Sequence, residues 1–168
     1  MKQNATFDSS FWINAHRSGL LQHVLAKYKL SYPPAVAAEL KESFPSGQEF
    51  WRLAREGVIV EVAPRFLQVQ GFGSGERAAL NVALEHQDWV LLMDDQRPFH
   101  EAVRLGIKVL CTPVLIVGFF SDGTLTARQA LLTLARLASL QTLSPNLLSA
   151  SLAQLGRSIS EKGGIDKR

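Results

Sequence analysis

Five acidic residues of this chain stand where carboxylates can do chemistry: Asp8, Glu39, Glu76, Asp94 and Asp95. Asp8 follows the short segment Ala5-Thr6-Phe7, and Asp94-Asp95 follow the apolar run Trp89-Val90-Leu91-Leu92-Met93. A continuous apolar run suits a strand buried on both faces of a parallel sheet. In open α/β sheets, ligands bind beyond the carboxyl ends of such strands. Carboxylates gathered at one edge repel each other unless a hard cation neutralises them, and oxygen-only ligation suits Mg²⁺ or Mn²⁺. One or two such ions can turn water into a nucleophile and stabilise an in-line displacement at phosphorus. Spacing alone leaves convergence open, because solvated surface carboxylates would be scattered along a sequence in the same way.

The elements that must position these residues follow in order. Ala5–Phe7 is expected as a brief strand ending on Asp8, with Ser9 and Ser10 offering hydroxyls to cap the next helix. Its apolar stripe is Trp12, Ala15, Gly19, Leu20 and Val24. Tyr28–Tyr32 reads as a second strand. Pro33-Pro34 ends it, and a first-turn proline opens a helix over AVAAELKESF. That helix carries Glu39 among Ala, Val and Leu, where a buried carboxylate must find a partner or a metal. Glu42, beside Lys41, reads as solvated surface.

Gln48–Glu56 is expected to be helical and Val58–Ala63 a strand. Gly71-Phe72-Gly73-Ser74-Gly75 begins like a phosphate-binding loop, but Glu76 occupies the position that would complete it and would repel phosphate. The segment reads instead as a turn, with Ser74 capping a helix and Glu76 near the positive end of its dipole. Phe99–Leu105 is a further expected helix with Gly106 beyond its end. Ile107–Leu110 is a strand leaving through Thr112-Pro113. This rhythm predicts right-handed βαβ units on a parallel sheet. No strand signal follows Phe120. Ala127–Leu140 and Asn146–Leu155, capped by Thr126 and Ser144, read as helices that pack on the sheet or form an interface. Residues 1–156 read as one domain, and RSISEKGGIDKR, residues 157–168, as a polar, flexible tail.

Composition narrows the class. With 168 residues, 46% hydrophobic and 20% charged, the chain reads as one soluble globular domain. A net charge of +3 tolerates a nucleic-acid partner without a dense basic run that would demand one. The single cysteine, Cys111, excludes an internal disulfide framework and fits a cytoplasmic location. The stretch MKQNATFDSSFW has no apolar run, so no signal peptide is expected. The run Val109–Phe120 is too short to span a bilayer. His16, Arg17 and His23 are expected to face outward or line a rim.

The wording and order of these segments resemble the PIN-domain superfamily, the fold of VapC-type toxin ribonucleases, and within it a subfamily of PIN-like nucleic-acid-binding proteins. The motifs that carry the resemblance are Asp8-Ser9-Ser10 with Gly19-Leu20-Leu21, then Pro33-Pro34-Ala35-Val36-Ala37-Ala38-Glu39-Leu40, then Gly75-Glu76 with Ala78-Ala79-Leu80. Leu91-Leu92-Met93-Asp94-Asp95 follows, and Leu105-Gly106-Ile107-Lys108-Val109 with Thr112 completes the set. The resemblance extends up to the final helix.

It implies a three-layer α/β/α sandwich around a central parallel sheet. It also implies a Mg²⁺ or Mn²⁺ site formed by Asp8, Glu39, Glu76 and Asp95, with Asp94 a further possible ligand. The implied activity is endoribonuclease cleavage of single-stranded RNA by metal-activated water, as the toxin of a pair held in check by a small antitoxin protein. Two positions depart from the family pattern: Cys111 stands where glycine is usual, and Glu76 where the broader superfamily often has Asp. Arg77 and Arg97 flank the implied site, in reach of phosphate or simply solvated. The competing reading is a PIN-like domain that binds nucleic acid or protein without cutting. A phosphoacceptor receiver domain ranks below both, because Asp8 stands alone and no Lys follows Thr112-Pro113 closely. The apolar C-terminal helices suggest a homodimer.

Overall fold

Successive residues of a strand point to opposite faces, and all four side chains of Val90-Leu91-Leu92-Met93 are buried, so this segment must be covered on both sides. A computed structural model of the chain describes residues 1–165 and shows how. The elements run β1 (Gln3–Phe7), α1 (Ser9–Ser18), α2 (Leu21–Lys27), β2 (Tyr28–Tyr32), α3 (Pro34–Glu39), α4 (Pro45–Arg55) and β3 (Val60–Glu61). Then come α5 (Ser74–Glu85), β4 (Val90–Leu92), α6 (Gln96–Arg104), β5 (Val109–Leu110), α7 (Thr112–Ser121), α8 (Ala127–Ser139) and α9 (Pro145–Ile165). The strands form one parallel sheet in the order β3-β2-β1-β4-β5.

β1 is central, with Ala5 opposite Leu30 on one side and Val90 on the other, and Phe7 opposite Leu92. Alternation divides the core into two. Ala5, Phe7, Val90 and Leu92 join the larger cluster, which includes side chains from α1, α4, α7 and α8. Leu91 and Met93 join Ala79, Leu80, Ala83 and Ala102 of α5 and α6 in the smaller one. The architecture is a three-layer α/β/α sandwich around the parallel sheet. No helix among the described residues is long and apolar enough to cross a membrane.

Several elements differ from expectation for identifiable reasons. The first helical stripe is broken at Gly19, whose φ of +82° turns the chain and sends its N–H back to Ala15 and His16 carbonyls. α3 stops at Glu39 instead of running to Phe44. Pro45 opens α4 and holds Phe44 extended (φ −114°, ψ 146°), which a continuing helix could not accommodate. The strand expected over Val58–Ala63 pairs only at Val60–Glu61, on the sheet's edge. The apolar stretch after Cys111 is helix α7, with Pro113 in its first turn and Leu115, Ile116, Val117, Phe119 and Phe120 all buried. Residues 157–165, expected as a tail, continue α9; residues 166–168 of that expectation lie outside the described residues.

An aromatic nest joins the sheet to α1 and α4. Phe50 meets Tyr32, Trp51, Trp12 and Phe7 edge-on, at centroid distances of 4.7, 5.2, 5.4 and 6.4 Å. Trp12 stacks on Phe7 at 5.1 Å, and its indole N–H donates to the Ser46 carbonyl at 2.8 Å. Phe50→Ala would empty the centre of this nest, and truncation of a buried Phe costs about 3–5 kcal/mol. Urea denaturation followed by tryptophan fluorescence should show that loss as a lower midpoint with an unchanged slope.

Candidate active site

Asp8 leaves the end of β1 and becomes the N-cap of α1: its Oδ1 accepts from the Phe11 N–H at 2.9 Å. The caps expected at Ser9 and Ser10 are therefore not needed. These two hydroxyls in the first helical turn turn outward along the acidic edge instead. Ser9 donates to Glu39 Oε2 at 2.5 Å and Ser10 to Asp95 Oδ2 at 2.7 Å. Asp8 is 1% exposed, and its Oδ2 has no hydrogen-bond partner. Burial pushes its carboxyl well above the ordinary range; the Phe11 N–H pulls it down, and the charges of Asp94, Asp95 and Glu76 push it further up.

Glu39 is the last residue of α3, at a helix end rather than mid-helix. Its carboxylate reaches α5, where Oε1 accepts from Ser74 Oγ at 3.1 Å and the Gly75 N–H at 2.9 Å. A Cβ at position 75 would lie 2.4 Å from Glu39 Oε2, so the approach depends on glycine. Glu42, beside it in sequence, pairs with Arg55 on the surface. Gly73, not Ser74, is the N-cap of α5, and its N–H donates to Glu76 Oε2 at 3.0 Å. Glycine has no side chain, so only this half of a capping box exists. Partial burial raises the Glu76 carboxyl, the Gly73 N–H opposes this, and the charge of Asp95 and a hydrogen bond shared with it raise it again.

The two adjacent aspartates have separate environments. Asp94 is buried, and its Oδ1 accepts from the Thr112 N–H at 2.6 Å. Its Oδ2 accepts from Thr112 Oγ1 at 2.6 Å and Asn14 Nδ2 at 2.7 Å. Asn14 Oδ1 in turn accepts from Thr142 Oγ1 at 2.7 Å. Burial raises the Asp94 carboxyl, and the Thr112 and Asn14 donors work against it. Asp95 is only partly buried and faces Ser10 and Glu76. It lines a cleft of about 250 Å³ together with Glu76, Phe72 and Arg97. The Arg97 guanidinium lies 5.2 Å from the Phe72 ring centroid and donates to the Gly71 carbonyl at 3.4 Å. Arg77 is partly buried on α5.

Asp8, Glu76 and Asp95 thus crowd one sheet edge, Glu39 stands next to them, and Asp94 is turned into a structural network. Among the described residues, no group of three or more His, Cys, Asp or Glu side chains is placed so that it could hold a metal ion as it stands. The donor set is nevertheless all oxygen, mutually repulsive and centred on an unpartnered buried carboxylate oxygen. That chemistry fits a hard divalent cation. Sequence reasoning does not pick out Asn14, or the orienting roles of Ser9, Ser10, Ser74 and Gly75. The one available signal was a polar Asn14 among the buried positions of α1. Cys111 is buried ahead of α7, and burial pushes its thiol up to about 11, leaving it inert at neutral pH.

A sheet edge of clustered carboxylates under an α/β/α sandwich defines a class, and comparison with known proteins supplies the family. A family model described as a PIN domain matches residues 4–157, and the chain belongs to that family. Among solved structures, the chain is similar to the PIN domain endonuclease Utp24, at 15% identity and a TM-score of 0.48, over 65% of this chain and 84% of that one. No curated protein matches the sequence.

Two predictions follow from the contrasting carboxylates. Asp8, Glu76 and Asp94 all hold protons more tightly folded than unfolded. The metal-free protein should therefore lose stability as pH rises from their ordinary values near 4 through the raised ones. Asp8→Asn keeps the cap to Phe11 and removes the buried charge. Its melting temperature in EDTA at pH 7.5 should exceed the wild type's, at roughly 2–4 °C per kcal/mol for a chain of this size, and the gap should close toward pH 4. Asp94→Ala should cost more than Asp95→Ala in urea denaturation, because it strands buried donors on Thr112 and Asn14 at about 1–3 kcal/mol each.

Proposed function

We propose that this protein is a divalent-metal-dependent endoribonuclease that cleaves single-stranded RNA. The family supports the nuclease reading, since PIN domains are typically nucleases. The observation that carries the reading is the unpartnered Oδ2 of buried Asp8 beside Glu76 and Asp95. An enzyme gains nothing in stability from such an arrangement, and a cation in that position would offset its cost.

Asp8, Glu76 and Asp95 are the residues that would hold Mg²⁺ or Mn²⁺, with Glu39 completing the acidic set once it releases a serine hydroxyl. When bound, the ion supplies the positive charge that makes water a nucleophile near neutral pH and offsets charge developing at phosphorus. Ser9 and Ser10 fix the orientations of Glu39 and Asp95. Partial burial and the neighbouring Asp95 raise the Glu76 carboxyl, which suits it to take up or give a proton at this edge. Asp94 stays outside the chemistry and keeps β4, β5 and α1 in register.

A toxin role, with a small antitoxin protein as partner in the cytoplasm, is the biological setting suggested by the motif order. Exposed Leu131 and Leu132 of α8 and Leu152 of α9 favour a homodimer. One observation favours a non-catalytic, nucleic-acid- or protein-binding role: Glu39 already has three hydrogen-bond donors of its own. Calorimetric titration with Mn²⁺ separates the two. Wild-type protein should bind, and Asp8→Asn and Asp95→Asn should lose most of the heat. Absence of wild-type binding would sink the metal-dependent reading. RNA cleavage that persists undiminished in Asp95→Asn protein would assign the activity to a contaminant.

A further inference from the structure

The acidic residues are divided between two hollows. Glu76 and Asp95 line the smaller cleft with Phe72 and Arg97, whereas Glu39 forms part of the wall of a much larger cavity of about 840 Å³. The larger one lies between α1, the α3–α4 connection and the end of α8, and its lining includes His16, Arg17, Lys41, Phe44 and Leu140. Besides Glu39, its lining carries two cations, a histidine and an aromatic ring. Most cations near acids in this fold are already paired: Lys27 with Asp122, Arg52 with Glu49 and Glu56, Arg55 with Glu42, Arg104 with Glu101. Arg17 and Lys41 make no ion pair or side-chain hydrogen bond among the described residues.

Phe44 is 62% exposed, although large aromatic side chains are costly to leave in water. Pro45, which opens α4, holds the Phe44 backbone extended, so the ring stands out from a fixed corner. The imidazole of His16 lines the cavity while its Nδ1 is buried without a partner. A flat apolar surface bordered by unpaired cations suits a nucleotide, whose base stacks and whose phosphate needs positive charge. The volume is ample for one nucleotide. A protein partner's apolar anchor would use Phe44 and Leu140 but leave Arg17 and Lys41 without counter-charges.

We infer that this cavity is a nucleotide-binding subsite for single-stranded RNA, in which one base stacks on Phe44 and the adjoining phosphate is met by Arg17 and Lys41. The inference rests on the proposed ribonuclease function and deepens it. Glu39, shared between cavity and acidic edge, then places the bound nucleotide next to the scissile phosphate. The strand continues past Glu76 and Asp95 into the cleft of Phe72 and Arg97. Substrate selection is therefore for unpaired RNA, because a base held in a duplex cannot leave its stack to enter the cavity.

The test uses full-length Asp95→Asn protein in EDTA and an eight-nucleotide single-stranded RNA carrying 2-aminopurine at one position. Stacking on an aromatic ring changes the fluorescence of that base. The change should be lost in a protein that also carries Phe44→Ala and kept with Phe44→Trp. Affinity should fall about fivefold or more in the Phe44→Ala protein. Arg17→Ala with Lys41→Ala should weaken binding and flatten its salt dependence by up to two phosphate contacts, whereas Arg104→Ala should do neither. Fluorescence and affinity indifferent to Phe44, Arg17 and Lys41 overturn the subsite. So does an Asp95→Asn protein that binds no RNA, which would point to a protein occupant instead. Cleavage by otherwise wild-type protein with Mn²⁺ is scored separately. Undiminished kcat/KM in Phe44→Ala overturns the subsite and leaves the ribonuclease reading standing. Phe44-dependent binding without any wild-type cleavage supports the subsite and removes that reading.

Discussion

Burying a carboxylate without a full set of donors is among the more expensive acts a small protein can perform, and this one does it at the first residue after its central strand. Asp8 has one oxygen tied to the start of α1 and the other bare. Much of the surrounding structure serves to keep that arrangement in place. The aromatic nest anchors α1 and so holds the cap; parallel pairing of β1 with β4 brings two more aspartates alongside; the turn before α5 delivers Glu76 to the same edge. None of these contacts removes the repulsion. They make it rigid, which is what a site needs if it is to favour an incoming cation over relaxation.

Asp94 shows how such a strained edge remains folded. Its two oxygens collect three donors from two separate elements, and Asn14 extends the chain of hydrogen bonds to Thr142. One aspartate is thus spent on architecture so that its neighbour can stay available. The division follows from strand geometry: consecutive side chains diverge, one toward the loop that leaves β5 and the other toward the acidic edge. Glu39 depends on a comparable accommodation, since its carboxylate occupies the volume that any side chain at Gly75 would require.

Much of the fold was legible in the residue pattern. Apolar runs ending in acids located β1 and β4, and Tyr28–Tyr32 was delimited by Pro33 and Pro34. What the pattern could not supply was mostly three-dimensional. Whether Asp94 or Asp95 meets Thr112 depends on the register of β4 against β5, to which neither segment's composition speaks. Ser74 looked like a cap because serine caps well, yet the chain enters α5 one residue earlier. The apolar stretch after Cys111 has no clear amphipathic period because it is buried on nearly every side, so strand and helix look alike there. Glu39 was recognisable as unusual among its apolar neighbours, but its partners lie 30 to 36 residues away.

Those separations bear on how the protein comes into being. Asp8 is made well before Asp95, which shares its edge through Ser10 and is 85 residues distant from that serine. The hydrogen bond that ties Asn14 to Thr142 spans 128 residues. A nascent chain cannot close the acidic edge until β4 has been made, and cannot brace it until the turn after α8 is available. The centre therefore cannot assemble until both ends of that 128-residue span exist. A truncated product of the same message would carry the first acids and none of the geometry that gathers them at one edge.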